Sequence, residues 1–314
     1  MHKTRCSLLI AAFLIAPIFG QIASKSVQGS ISISGAWALY PMVLKWAEEF
    51  KKIHPRVKID VQAGGAGKGM ADVLAGMGDL GMVSRDVNPD EVKKGAFPIA
   101  VTKDGVVAAV SAKNPFLNEL LKKGLTRQRF IEIWISGKDV SWGRILGTTD
   151  KSVVHVYTRS DACGAAETWA AYLGKNQEDL GGVGVYGDPG LAEAVRRDPL
   201  GIGYNNINFV YDAKTLKPVD GIAVVPIDLD GSGGIEESEK VYATRDDITG
   251  AIARGIYPSP PARDLYLVAK GRPANQAAVE FLRWVLSDGQ KYVPETGYIR
   301  LGPEKLKIGL DKLK

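Results

Sequence analysis

Short β-branched runs alternate with amphipathic helical stretches along this chain, with glycine-rich turns between them, and few folds accommodate that order. Residues 30–34 read as a strand. Residues 41–54 open on Pro41 and carry Val43, Leu44, Ala47 and Phe50 on one face, with Lys45, Glu48, Glu49 and Lys52 elsewhere on the turn, the pattern of a helix started by proline. A strand at 57–61, a glycine turn at 64–69, a helix at 70–75 and a short apolar strand at 80–83 complete a βαβαβ order, which implies a parallel sheet with helices on both faces. A second such unit follows, with helices at 126–134, 165–173 and 191–197 and strands at 153–157 and 201–204. A strand at 265–268 and an amphipathic helix at 276–286 then return to the first unit. No internal repeat or long linker interrupts the chain. The expected architecture is α/β, two lobes of mostly parallel sheet flanked by helices, joined by strands and separated by a cleft.

The expected lobe boundaries are 28–112 plus 240–314 for the first and 113–239 for the second. The 314 residues suit two domains, and 45 % hydrophobic with 24 % charged residues excludes disorder, collagen and coiled coil. Residues 1–5 are basic, 6–20 are apolar apart from Ser7, and small residues follow at Gly20 and Ala23, the three-part pattern of a secretory signal peptide, expected to be removed as residues 1–23. The apolar run falls short of the roughly 20 residues a membrane span needs. Without Lys3 and Arg5, the 40 bases fall to 38 against 35 acids. That small excess, spread over the chain, argues against a nucleic-acid partner, and the leader argues for a periplasmic or secreted location. Cys6 opens the apolar run and leaves with it, so Cys163 is the only thiol expected in the mature protein, which excludes a disulfide framework.

Three turn-to-helix junctions carry the functional signal: Ser34 to Pro41, Gly64 to Gly69, and Arg159 to Ala165. A helix N-terminus presents unpaired N–H groups and about half a positive charge, so several aimed at one point form an oxyanion seat that needs few charged side chains. The third junction adds an arginine, whose planar fork matches two oxyanion oxygens.

Those junctions, with Asp79 to Arg85, Ile135 to Lys138 before Trp142, Asp198 to Tyr204, Arg263 to Tyr266, Gly289-Gln290 and Gly297-Tyr298, make the chain resemble the substrate-binding proteins of phosphate ABC transporters over essentially all of its mature length. The resemblance implies a two-lobed, type II periplasmic binding protein, acting as a monomer, that closes over inorganic phosphate or a related tetrahedral oxyanion and delivers it to a membrane ABC permease. It implies that Arg159 binds the anion, that Asp161 is the acidic residue following it, that Gly164 starts the helix, and that Ser84 and Arg85 line the cleft. Whether Asp161 or another carboxylate accepts a proton from the ligand stays open. Where the family usually presents hydroxyls, this chain has Ala36, Trp37, Ala38, Ala66, Cys163 and Ala165. Each lost hydroxyl removes about 0.5–1.5 kcal/mol of hydrogen bonding. The expected ligand contacts are therefore largely backbone N–H groups, at Ala38, Leu39, Ala66, Gly67, Gly164 and Ala165. A different anion or small organic ligand is the alternative, as is a cleft no longer used for ligand. Trp37 either lines the cleft or fills space behind the first loop.

Two further features call for a reading. Residues 228–239 place oxygen donors at Asp228, Asp230 and Ser232, glycine at Gly233, a backbone carbonyl at Gly234, an aliphatic at Ile235 and a glutamate at Glu239, the spacing of a twelve-residue calcium loop. A strand and not a helix precedes it, so the expected calcium is structural and pins the connection back to the first lobe. Cys163 at a helix start, with His155 and Asp161 nearby in sequence, raises a thiol-hydrolase alternative. Against it, His155 falls inside a strand; the chain is expected not to be an enzyme.

Overall fold

A computed structural model describes residues 27–137 and 139–314. The expected leader, 1–23, and Lys138 lie outside them. The first lobe is built from β1 (Gly29–Gly35), α1 (Tyr40–Ile53), β2 (Val57–Ala63), α2 (Ala66–Ala75), β3 (Leu80–Val83), α3 (Pro89–Lys93) and the first part of β4 (Ala96–Ser111). The second follows with α4 (Leu117–Lys123), α5 (Arg127–Trp134), α6 (Trp142–Leu146), β5 (His155–Arg159), α7 (Gly164–Leu173), β6 (Val183–Val185), α8 (Gly187–Arg197), β7 (Gly201–Asn206), α9 (Ile207–Val210) and β8 (Ile222–Val224). α10 (Arg245–Ala253) completes the second lobe, and β9 (Ala262–Lys270), α11 (Gln276–Val285) and α12 (Pro303–Lys312) return to the first. No helix among the described residues is long and apolar enough to cross a membrane.

The expected parallel ladders are present: β1 pairs with β2 and β3, and β5 with β6 and β7, all parallel. Sequence pattern did not disclose β4, which joins them. Its residues 96–105 pair antiparallel with β9, and from Val106 to Val110 the same strand pairs antiparallel with β7. Among the described residues nine strands thus form one sheet, in the order β2-β1-β3-β9-β4-β7-β5-β6 with β8 on β4. Pro98 and the Lys103-Asp104-Gly105 break hide the strand in a one-dimensional reading, because each half takes its pattern from a different neighbour.

Two apolar cores correspond to the lobes. One gathers Ile33, Val43, Trp46, Phe50, Met82, Leu267, Phe281 and Leu282. The other gathers Val107, Phe130, Trp134, Trp169, Leu191, Tyr204 and, from beyond residue 240, Tyr242, Ile248, Ala251, Ile252 and Tyr257. The cores therefore change over at Gly105–Val106 and near Ala262, and not at 112 and 240. The physical reason is that α10 buries its apolar side on the second lobe before the chain recrosses in β9. α8 also starts at Gly187, four residues before the helix pattern suggests, since Pro189 is tolerated in a first turn whose N–H groups have no intrahelical partner.

Candidate functional site

Aromatic packing sets the position of the central arginine. Tyr204 on β7 lies stacked 5.9 Å from Trp169 and edge-on to Trp134, and its hydroxyl shares a 2.8 Å hydrogen bond with Thr158 and accepts the backbone N–H of Arg159 at 3.2 Å. Arg159 therefore leaves the end of β5 from a fixed point. Its side chain, 0 % exposed, donates from Nε and Nη2 to the two oxygens of Asp161 (2.8 and 2.6 Å) and from Nη1 to Asp188 Oδ2 (2.7 Å). Burial works against its charge, but the two carboxylates outweigh it and raise its pKa. A guanidinium has five N–H donors, so these three bonds leave two uncommitted.

The glycine junctions of opposite lobes meet here. Gly65 has φ +89°, and a Cβ there would lie 2.9 Å from Asp161 Oδ2; a Cβ on Gly164 would overlap the Ser84 carbonyl oxygen. Only glycine permits both approaches. Of the six backbone donors expected in the seat, two are already spent. Leu39 N–H closes a turn on Ala36 O (3.1 Å), and Gly67 N–H donates across the lobes to Ala162 O (3.2 Å). The N–H groups of Ala38, Ala66, Gly164 and Ala165 have no acceptor among the described residues, and the last three lie in the first turns of α2 and α7.

Arg85 stands apart from this group. It makes a bidentate pair with Glu91 (2.8 and 2.7 Å) and reaches Glu167 of the other lobe at 2.9 Å, so its guanidinium is held by carboxylates and latches the lobes. Ser84, at the end of β3, is buried against Gly164. Cys163 caps α7, its Sγ accepting Ala166 N–H at 3.4 Å, and burial pushes its thiol up to about 12. His155 is engaged by Asp198 at 2.7 Å. This is a structural cysteine with no activated thiolate. Trp37 reaches across to Gly187 at the start of α8, and its buried Nε1 has no hydrogen-bond partner.

Sequence pattern missed Asp188, Asn206, Arg263 and Asp104. Asp188 Oδ1 accepts Asn206 Nδ2 at 2.6 Å, and Arg263 donates to Gly164 O (2.6 Å), Thr168 Oγ1 (2.9 Å) and Asn206 Oδ1. Asp104, wholly buried, lies 3.8 Å from Arg263, and neither of its oxygens has a hydrogen-bond partner. Consecutive polar residues, Asn205-Asn206, at the end of a buried strand were the available signal. With three aspartates around two arginines, side chains give the site no positive surplus, and anion attraction falls to the helix starts.

Away from the cleft, Asp228, Asp230 and Glu239 bring carboxylate oxygens within 4.8 Å of one another, with Asp228 and Glu239 buried. Gly231 and Gly233 N–H groups donate to Asp228 (2.8 and 3.0 Å), and Ser232 Oγ donates to Gly234 O (3.0 Å). The loop lies on the end of α4, where Ile235 N–H donates to Lys122 O at 2.9 Å, so it belongs wholly to the second lobe and not to the return to the first.

The phosphate-binding protein PstS of Staphylococcus aureus strain USA300 is 25 % identical over 303 residues, covering 94 % of this chain and 85 % of the relative. A Clostridium perfringens substrate-binding protein solved with bound phosphate superposes with a TM-score of 0.71 at 22 % identity, over 87 % of this chain and 100 % of that one. An ABC-type phosphate transport receptor from Vibrio cholerae gives 0.62 at 20 %, over 86 % and 100 %. Both structures share the two-lobed α/β fold. The PBP superfamily domain model matches residues 21–289, and with the fold and the inter-lobe site this places the chain in the PBP superfamily.

Proposed function

We propose that this protein is an extracytoplasmic solute-binding protein that captures phosphate, or a related tetrahedral oxyanion, between its lobes and delivers it as a monomer to an ABC permease. The observation that carries the reading is the meeting of unspent N–H groups at the starts of α2 and α7 with a buried arginine that keeps two donors. The phosphate named for the Staphylococcus and Clostridium proteins supports the same ligand class. Closure follows because the ligand contacts both lobes at once and so favours the form in which they meet. We read the protein as a carrier and not an enzyme, a reading supported by the use of Cys163 as the cap of α7. Calorimetric titration of the protein lacking residues 1–23 is expected to give one phosphate site, weakened about tenfold to a hundredfold by Arg159→Lys. No heat with phosphate, arsenate or sulfate overturns the reading.

One observation favours an organic anion instead. Trp37 offers an unpartnered indole N–H beside Gly187 of the other lobe, and a separate 390 Å³ cavity lined by Arg85, Lys103, Arg263 and Lys305, with Asp86, Glu167 and Asp264 among them, has room for more than phosphate. A phosphonate or carboxylate that quenches Trp37 fluorescence where phosphate does not selects that ligand.

The 228–239 loop is proposed to hold calcium structurally through Asp228, Asp230, Ser232, the Gly234 carbonyl and Glu239, since its donor set is hard oxygen and its carboxylates already converge. Millimolar calcium is expected to raise Tm by about 5 °C over chelator, and Asp228→Asn to abolish the rise. Equal Tm in calcium and chelator refutes it.

A further inference from the structure

Arg263 lies on β9 opposite Asp104, where β4 changes partner from β9 to β7, the crossing between lobes. Its side chain, 5 % exposed, has two arms. One holds α7, through Gly164 O at 2.6 Å and Thr168 Oγ1 at 2.9 Å. The other runs through Asn206 Oδ1; the amide of Asn206 then donates to Asp188 Oδ1 at 2.6 Å, and Asp188 Oδ2 accepts Arg159 Nη1 at 2.7 Å. We propose that Arg263 is the positioning residue of the oxyanion seat, fixing from the hinge both the donor-bearing first turn of α7 and the orientation of Arg159. This rests on the oxyanion reading for its ligand, and on geometry alone for its two arms. A buried arginine satisfied merely for stability needs no second arm ending on the site's own arginine.

The arms can be cut separately. Asn206→Ala severs the link to Asp188 and Arg159 and leaves the grip on α7; Arg263→Met removes both, and Arg263→Lys keeps a charge that can reach one. Phosphate affinity is expected to fall about tenfold in Asn206→Ala and further in Arg263→Met, with partial recovery in Arg263→Lys. The Asn206→Ala and Arg263→Met effects are expected to be non-additive when combined, since they share one path. The reactivity of Cys163 toward a thiol reagent, measured without phosphate on variants shown to be folded by circular dichroism, reports the α7 arm by itself. It is expected to rise at least about tenfold in Arg263→Met, and to stay at the wild-type rate in Asn206→Ala. Wild-type protein that binds no phosphate sinks the ligand reading and leaves the thiol arm to decide the positioning role. Unchanged thiol reactivity in Arg263→Met, or additive affinity losses in a phosphate-binding protein, overturns the proposal.

Discussion

Asp104 shows how a single residue at the hinge links pH to stability. Burial raises its carboxyl from the ordinary 3.8 to about 7, against the opposing pull of Arg263, while Asp188 adds to the rise. Its folded value exceeds its unfolded one, so the stability it contributes is fully present below about 3.8 and is lost as pH rises through about 7. Asp104→Asn removes that titration. Urea unfolding between pH 4 and 8 is expected to show stability falling with pH more steeply in the wild type than in the variant. Parallel pH profiles would mean that Asp104 stays ionised throughout.

At the level of elements, the first turn of α7 meets the end of β3 through a contact that only glycine at 164 allows. The two elements belong to different lobes, so a methyl group added there is relieved by opening and costs little in the open form. Overpacking of this kind costs about 1–3 kcal/mol, so Gly164→Ala is expected to weaken phosphate binding about tenfold or more while leaving the Tm of ligand-free protein within about 1 °C. A fall of several degrees in that Tm would show that the contact persists without ligand. Cys163 supports the same turn as its cap, so where the resemblance leads one to expect a hydroxyl the thiol keeps the acceptor role toward Ala166 N–H, in a weaker form.

Across the whole molecule, the continuous sheet confines motion. β4 and β9 cross between the lobes as paired strands, and the partner of β4 changes from β9 to β7 at Gly105–Val106, so bending concentrates at that changeover. The Arg85–Glu167 pair and the Gly67–Ala162 hydrogen bond form only when the lobes are together. Small-angle scattering is expected to show a smaller radius of gyration with phosphate than without, and Gly164→Ala to hold the larger value. An unchanged radius in the wild type would indicate that closure does not depend on ligand.

The amino-acid sequence by itself determined the alternation of strand and helix, the glycine junctions, the grouping of Arg159 with Asp161 and the calcium-loop spacing, because each depends on residues close together in the chain. Only the tertiary structure decided which backbone donors stay unspent, since Gly67 is consumed by a carbonyl of the opposite lobe. It also paired Arg85 with Glu91 and Glu167, and brought in Asp188, Asn206, Arg263 and Asp104 from four separate strands and helices. Buried polar groups must find partners, and for a long charged side chain that partner is chosen by whatever the fold sets beside it. The lobe boundary followed the same logic: a strand paired differently along its two halves has no signature until both neighbours are in place.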